Sequence, residues 1–304
     1  MPTRLVPFED RKRMTYLGEA LAERLSQSKR PIISNYELFS HLWTIYAEGN
    51  VKYLRGEHLT HSTFERTRDL LKQENIIYRD RDYAKLWRIT DLPDVPAEEA
   101  ICLAHPYGYI SHLSAMQRYG LTNRRPEALF ITLPEAPFVR AQLQQKRQAE
   151  YADALDSGEI FVERIHAVTQ PPTVRGRPVT VLTTKHFGDW RPIRGTFARI
   201  GSIGQTFLDM METPERCGGM RHILEVWEDH ATTYLEEIIG RFDHAPRAIH
   251  KLRAGYVLEE RLGVSDSRVL SWKALAQRGG SQVLDPEREY VDNYSEDWMI
   301  SVNV

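Results

Sequence analysis

The chain has 304 residues, of which 41% are hydrophobic and 27% are charged, and its formal net charge is −2. This ordinary globular composition and length allow two or three domains, each with its own core. No stretch approaches the roughly 18 apolar residues of a membrane-spanning helix. The first residues, MPTRLVPFEDRKRM, contain no apolar run of the signal-peptide type. The two cysteines, Cys102 and Cys217, are far apart and indicate neither a disulfide framework nor a metal site. We therefore expect a cytoplasmic protein with no metal or other cofactor.

Charge is unevenly distributed along the chain. Residues 1–90 contain 16 Lys and Arg against 12 Asp and Glu, a net charge of +4. The remaining residues contain 24 against 30, a net charge of −6. A basic N-terminal part on an acidic body is typical of a protein that contacts nucleic acid through its N-terminal part. The alternative is that an excess of four charges arises by chance.

The N-terminal residues predict a winged helix-turn-helix. Leucines at four-residue steps predict a helix over 14–27, Ser34 or Asn35 can cap a second helix, and a third is predicted over 60–76. A hairpin follows, with strands at 76–78 and 85–90. In a winged helix-turn-helix the third helix enters the major groove and the hairpin, or wing, lies along the DNA backbone.

Candidate DNA-binding side chains occur on the third helix and on the wing. They are His61, Ser62, Thr63, Arg66, Arg79, Arg81 and Lys85. Hydroxyls and arginines bond phosphates or base edges, and wing cations lie where phosphates run. Ser62 and Glu65 also have the spacing of a capping box. Two observations favour the alternative of a protein–protein module: some winged helices have that role, and Asp80 and Asp82 interrupt the positive charge of the wing.

A linker and a mixed α/β body are predicted after the wing. Residues 91–96 (DLPDVP) are a proline-interrupted linker between a winged-helix domain at 1–92 and a body domain at 97–304, itself divisible near 200. The overall fold class predicted is α+β, with a helical C-terminal part. The body elements predicted are a short helix ending at Pro106, a helix from Ser111 to Gly120, a strand at 128–133, an exposed charged helix at 137–157, strands at 159–168, 179–184 and 197–200, and helices beyond Ser202.

A candidate second basic patch lies in the body. Lys185, Arg191, Arg194 and Arg199 are concentrated around and between the last two predicted strands. Such a patch is suited to nucleic acid, a phosphate or the acidic surface of a toxin, and the alternative is ordinary pairing with the many acidic residues nearby.

We find no arrangement typical of an enzyme. His112 and Ser114 resemble a base and a nucleophile, but positions i and i+2 of a helix do not face each other. Glu163 and Lys185 are the best pair for a metal-dependent nuclease, and they do not form a convincing set. We therefore expect that the chain is not an enzyme.

Four runs in the body resemble a known family. They are GYISHLSAMQRYGLT at 108–122, IGQTFLDMMETPERCGGMRHILEVW at 203–227, AGYVLEERLG at 254–263 and WMISVNV at 298–304. In their order and spacing they resemble the AbiEi family of antitoxins and transcriptional regulators, which belong to type IV toxin–antitoxin systems of abortive phage infection. The resemblance covers residues 97–304.

The resemblance implies a function in two parts. In the AbiEi family an N-terminal winged helix binds repeats in the promoter of its own operon and represses it, which favours a homodimer on DNA. The C-terminal region counteracts a nucleotidyltransferase toxin, directly or without a stable complex. The DNA-facing residues would then be those at 61–66 and 79–85. The family-like residues that we assign to the fold are Ser111, His112, Gly120, Thr206, Asp209, Gly218 and Gly219.

Two functional classes remain open at this stage. The first is a DNA-binding repressor and antitoxin of a phage-defence operon. The second is an adaptor in such an operon, which does not bind DNA and instead binds a partner protein through its acidic body.

Overall fold

A computed structural model describes residues 14–54, 56–277 and 282–304. In this part the chain is a mixed α+β protein, as the sequence predicts. No helix among these residues is long and apolar enough to cross a membrane. The prediction that the first residues lack a signal peptide concerns residues 1–14, and all of these except Met14 lie outside the described residues.

The chain divides into two compact units. Unit 1 contains the described residues up to Pro106 together with Ala136–Gly176, and unit 2 contains Tyr107–Glu135 and Arg177–Val304. The sequence-based boundary at 92–97 differs from this division, because 97–106 and 136–176 join the N-terminal residues. The reason is long-range packing, which local composition does not signal.

Unit 1 begins with three helices and a three-stranded sheet. Numbered along the whole chain, its elements are α1 (Tyr16–Gln27), β1 (Ile32–Ile33), α2 (Asn35–Glu48), α3 (His61–Gln73), β2 (Ile77–Arg79), β3 (Trp87–Ile89), α4 (Ala97–Ala104), α6 (Ala136–Ser157) and β6 (Thr173–Val174). Strands β1, β3 and β2 form an antiparallel sheet in that order, with Ile33 opposite Trp87 and Ile77 opposite Ile89. The three predicted helices and the predicted hairpin are thus confirmed, and β1 is an additional strand.

Helix capping in unit 1 follows local chemistry, with one correction. Ser34 caps α2 in a capping box with Glu37, as the S-x-x-E spacing there allows. The capping box predicted at Ser62 and Glu65 is wrong, because α3 begins earlier and is capped by Thr60. Both residues therefore lie inside α3, where their side chains are not needed for a box.

The core of unit 1 extends beyond the N-terminal helices. The helix predicted at 137–157 is confirmed as α6, with a kink at Tyr151, where the backbone is not helical. The Tyr151 side chain is 5% exposed and packs against Phe39 and Trp43 of α2. The strand predicted at 159–168 is wrong, because this segment forms no strand pairing. Its alternating apolar residues instead pack on unit 1, where Phe161 contacts Phe39 and Val162 is buried.

Unit 2 combines a mixed sheet with a helical C-terminal part. Its elements are β4 (Tyr109–Ile110), α5 (His112–Tyr119), β5 (Leu129–Pro134), β7 (Arg177–Thr184), β8 (Trp190–Pro192), β9 (Arg199–Gly201), α7 (Ile203–Glu212), α8 (Met220–His230), α9 (Leu235–Phe242), α10 (Ala248–Tyr256), α11 (Ser267–Ser271), β10 (Tyr294–Ser295) and β11 (Ile300–Ser301). The first five strands lie in the order β7-β5-β4-β9-β8, with β5–β7 and β4–β9 parallel. The helix α9 was not predicted.

Two family-like runs of unit 2 pack against each other through a glycine. A Cβ atom at Gly255 would lie 2.1 Å from the ring of Trp298, so that only glycine leaves room for this indole. The indole is fully buried, and its Nε1 donates a hydrogen bond to Glu259 Oε2 at 2.9 Å. The chain's C-terminal strand is thereby fixed on α10 and the turn that follows it.

Candidate nucleic-acid interface

The first turns of α3 present a polar face to solvent. Phe64, Thr67 and Leu71 are buried, which fixes the orientation of the helix. As a result, Ser62 and Arg66 lie on the exposed side. Among the described residues, none forms an ion pair or hydrogen bond with Arg66, so that its five N–H donors are available to a ligand.

The hydroxyls and histidine at the start of α3 are partly engaged within the protein. The Thr60 hydroxyl caps the helix by accepting from the Thr63 amide at 3.3 Å, and it donates to Thr63 Oγ1 at 2.9 Å. Thr63 is half-buried. The exposed His61 ring packs edge-on against Phe161, with centroids 4.7 Å apart, and its Nδ1 lies 3.7 Å from a carboxylate oxygen of Glu65. The Ser62 hydroxyl also lies at hydrogen-bond distance, 3.2 Å, from the Thr60 hydroxyl. Of the four candidates on this helix, only Arg66 has no hydrogen bond or ion pair among the described residues.

Arg79 is held rigidly on the wing. Its guanidinium lies over the Trp87 ring, 3.5 Å from the centroid, and the Trp87 indole donates to Asn35 Oδ1 at 2.6 Å. Partial burial, and then the charge of Arg68, lower the pKa of Arg79. An anion bound at the guanidinium would oppose both effects, because it would stabilise the charged form.

The other two wing candidates differ in their surroundings. Lys85 is exposed in the turn that joins β2 to β3. Arg81 is also exposed, but it forms an ion pair with Asp94 at 3.3 Å. Exposed pairs of this kind are weak and exchange readily with an external anion.

The acidic residues of the wing are neutralised from within unit 1. Arg175 binds Asp80 through two nitrogens, at 2.6 and 3.0 Å, and also pairs with Asp82 and, at 3.2 Å, with Asp94. Burial alone would raise the pKa of Asp80, but the hydrogen bonds from Arg175 and from the backbone amides of the turn lower it below 3.8. The two carboxylates that interrupt the basic sequence of the wing are thus compensated by a residue almost a hundred positions away.

The second basic patch is assembled only in part. Arg191 lies on β8 and Arg199 on the paired strand β9, with Arg194 in the connecting turn. Arg199 donates to the Gly108 carbonyl at 2.9 Å, and Arg191 lies over the Tyr119 ring. These two arginines contact other groups of unit 2, although Arg191, like Lys185 and Arg194, is exposed.

The family-like residues of unit 2 form a buried polar cluster. Asp209 on α7 accepts a hydrogen bond from Gln205 Nε2 at 2.6 Å, and the backbone amide of His112 lies 3.4 Å from its second carboxylate oxygen. Burial raises the pKa of Asp209 to about 7 and lowers the pKa of His112 to about 3. Ser111 and Thr206 are also fully buried. The cluster joins α5 to α7, in keeping with the prediction that these residues maintain the fold.

The structure does not bring His112 and Ser114 together as a catalytic pair. The His112 ring contacts the Ser111 hydroxyl at 2.7 Å, whereas the Ser114 hydroxyl accepts a hydrogen bond from the Phe130 amide. Within the described residues, no group of three or more His, Cys, Asp or Glu side chains is arranged to hold a metal ion.

A pocket of about 720 Å³ in unit 2 is lined by both basic and acidic side chains. Its lining includes Arg241 and His186, but also Asp189 and Glu237. Arg241 donates to the Gln205 side chain at 2.6 Å, which links this pocket to the buried cluster.

Three residues that bear on the interface were not found from sequence. Arg175 was passed over because its partners are distant in the chain, and Arg164 and His166 were placed in a strand that does not exist. An arginine next to a glycine in a charged run is too common to signal a buried ion pair.

Comparison with known proteins gives no family. No protein-family model matches the chain, and no curated protein matches it. Among solved structures, the chain is similar to the crystal structure of the RV2827C protein from Mycobacterium tuberculosis. The sequence identity is 12%, the alignment covers 95% of this chain and 92% of that chain, and the TM-score is 0.46. A likeness this remote carries no argument about function.

Proposed function

We propose that unit 1 contains a winged helix-turn-helix that binds duplex DNA, and that the chain is a repressor of its own operon and the antitoxin of a type IV toxin–antitoxin system. The observation that carries the DNA-binding part is the element order α1-β1-α2-α3-β2-β3, with β1 paired to β3. This is the order of a winged helix, in which the third helix reads the major groove.

The charges and contacts on unit 1 support this assignment. Arg66 is exposed and unpaired among the described residues, and an arginine on a recognition helix can make a bidentate contact to a guanine edge. Arg79 and Lys85 on the wing suit backbone phosphates, which position the protein without reading sequence. Because Arg175 compensates Asp80 and Asp82, these carboxylates oppose DNA binding less than the sequence suggests.

The antitoxin part of the proposal rests on the resemblance to the AbiEi family. Its support from the structure is that the family-like runs contact one another within unit 2. His112 lies beside Asp209, and Gly255 and Glu259 contact Trp298. The partner in this proposal is a nucleotidyltransferase toxin in the cytoplasm. The exposed Lys185 and Arg194 are candidates for contacting an acidic surface on it.

A DNA-binding measurement tests the proposal. Fluorescence anisotropy of the full chain should detect binding to a duplex from the region upstream of its own gene, with affinity falling as salt rises. Arg66→Ala should weaken cognate binding by about 1–3 kcal/mol and binding to random DNA far less, if Arg66 contacts a base. Arg81→Ala is the matched control, because a phosphate-facing cation should affect both duplexes equally.

Two outcomes would redirect the assignment. If folded protein binds neither duplex at low salt, the DNA-binding proposal is refuted, and the adaptor that acts through the acidic body becomes the leading function. If Arg66→Ala weakens both duplexes equally, Arg66 contacts phosphate and another residue reads the sequence.

A further inference from the structure

A small pocket beside the wing is lined by basic side chains from two distant parts of unit 1. Its volume is about 250 Å³. Arg79 and Lys85 come from the wing, whereas Arg164 and His166 come from the segment that follows α6. No carboxylate among the described residues lines this pocket. A cavity with four basic side chains and no acidic lining residue favours an anion.

Most of the other described arginines of unit 1 form ion pairs with carboxylates. Those that form ion pairs with carboxylates are Arg24, Arg30, Arg68, Arg81, Arg88 and Arg175. Within the described part of the chain, no carboxylate lies at ion-pair distance from Arg79 or Arg164. Arg66, Arg140 and Arg147 also lack such a pair among the described residues, but Arg79 and Arg164 line the same cavity, and no described carboxylate lines it, which indicates that their counter-charge is external.

The pocket is built from fixed elements. Arg79 is stacked on Trp87, whose indole is bonded to Asn35, and Asn35 itself lines the pocket. On the opposite side, Arg147 donates to the carbonyls of Val162 and Glu163 at 3.0 and 3.2 Å. These bonds anchor the chain immediately before Arg164. A basic group held in place, as Arg79 is, loses little conformational entropy on binding, which favours recognition of a compact anion.

We propose that this pocket is a phosphate-binding site and that Arg164 and His166 are part of the DNA interface, where they contact a backbone phosphate beside the wing. The choice of DNA as the source of the phosphate rests on the proposed function. The site itself does not, because an arginine fork bonds phosphate oxygens in the same way whether the phosphate is free or esterified.

Salt dependence of DNA binding tests the role of Arg164. Each phosphate contact to duplex DNA contributes about 0.9 to the slope of log affinity against log salt. Arg164→Ala in the full chain should therefore reduce the magnitude of this slope by about 1, so that the loss of affinity between 50 and 200 mM salt is about four-fold smaller than in the wild type. Arg164 is exposed, so the substitution leaves folding intact. Arg140→Ala is the matched control, because Arg140 is an exposed arginine on α6 outside the pocket and should leave the slope unchanged.

Calorimetric titration of the same proteins with inorganic phosphate distinguishes free phosphate from the DNA backbone as the source of the bound phosphate. Phosphate binding that Arg164→Ala abolishes, together with a reduced DNA slope, supports both the site and its DNA source. A reduced slope without binding of free phosphate also supports the proposal, with the DNA backbone as the only source. Phosphate binding with an unchanged slope keeps the site and overturns the DNA source.

An unchanged slope together with no phosphate binding overturns the proposal. The proposed function still stands in that case if the wild-type protein binds the duplex. If the wild type does not bind DNA at all, the phosphate titration alone decides whether the pocket is a phosphate site.

Discussion

Removing Arg175 should destabilise the wing. The Arg175 side chain is 5% exposed, and the carboxyl of Asp80 beneath it is fully buried. Methionine has a similar length but no charge, so that Arg175→Met leaves Asp80 buried without its counter-ion. Breaking a buried pair from one side costs about 3–5 kcal/mol. This is a large fraction of the roughly 5–15 kcal/mol that stabilises a domain. Arg81→Met is the control, because its exposed pair with Asp94 contributes at most about 1 kcal/mol.

The pH dependence of the stability deficit of Arg175→Met shows whether the deficit comes from the unpaired buried charge of Asp80 or from lost packing. In the wild type the pKa of Asp80 lies below 3.8 despite burial, because Arg175 and backbone amides bond the carboxylate. Its contribution to stability is thus present above about pH 4 and is lost as the pH falls through the lowered pKa. Without Arg175, burial is unopposed by that charge and raises the pKa of Asp80. The variant then takes up a proton as the pH falls from 7 to 4, and its deficit in stability should shrink.

Hydrogen–deuterium exchange measures this effect on each part of the chain. Peptides that cover residues 77–90 should lose protection in Arg175→Met at pH 7, while peptides from α8 in unit 2 serve as the internal control. Urea unfolding at pH 7 and pH 4 gives the size of the deficit. Equal stability deficits at the two pH values would refute the explanation by an unpaired Asp80 charge. Unchanged protection of the wing would refute the role of Arg175 altogether.

Two further substitutions probe unit 2. Asp209→Asn removes a carboxyl whose pKa burial raises to about 7. A folded pKa above the unfolded value reduces the stability of the wild type as the pH rises from about 4 to 7. In urea unfolding, the variant should therefore gain up to roughly 4 kcal/mol relative to the wild type over that range. An equal difference at pH 5 and pH 8 would contradict this reasoning. Gly255→Ala places a methyl group 2.1 Å from the Trp298 ring and should lower the unfolding midpoint markedly, whereas Gly240→Ala, a helical glycine with open space, should not. A soluble Gly255→Ala variant with an unchanged midpoint would show that Trp298 can move at little cost.

The parts of the fold that were predictable are those set by neighbouring residues. The leucine spacing in α1 and the cap at Ser34 are local signals, and the structure places both helices where these signals indicate. The capping box at Ser62 failed because Thr60, two residues earlier, offers an equally good cap. Two hydroxyl residues within one turn compete for the same role, and sequence alone does not decide between them.

Long-range packing accounts for what the sequence did not reveal. The alternation at 159–168 is real, but its apolar residues pack on α2 and α3 without strand pairing. Period-two alternation indicates only that one side of an extended segment is buried. It does not distinguish a strand from an unpaired segment packed on the core, because that distinction depends on whether a partner strand is nearby. For the same reason the sequence did not indicate that Arg164 and His166, in the segment 159–168, lie beside the wing.

The distribution of charge over unit 1 follows from which ions are paired. In sequence the wing reads Arg79-Asp80-Arg81-Asp82, which suggests a neutral surface. In the structure the carboxylates of Asp80 and Asp82 are held by Arg175, whereas Arg79 lacks a carboxylate partner among the described residues. Coulombic interactions at this range depend on separation and exposure, so a buried, compensated carboxylate opposes an external phosphate less than an exposed one does. The wing can therefore favour anions even though its sequence alternates in sign.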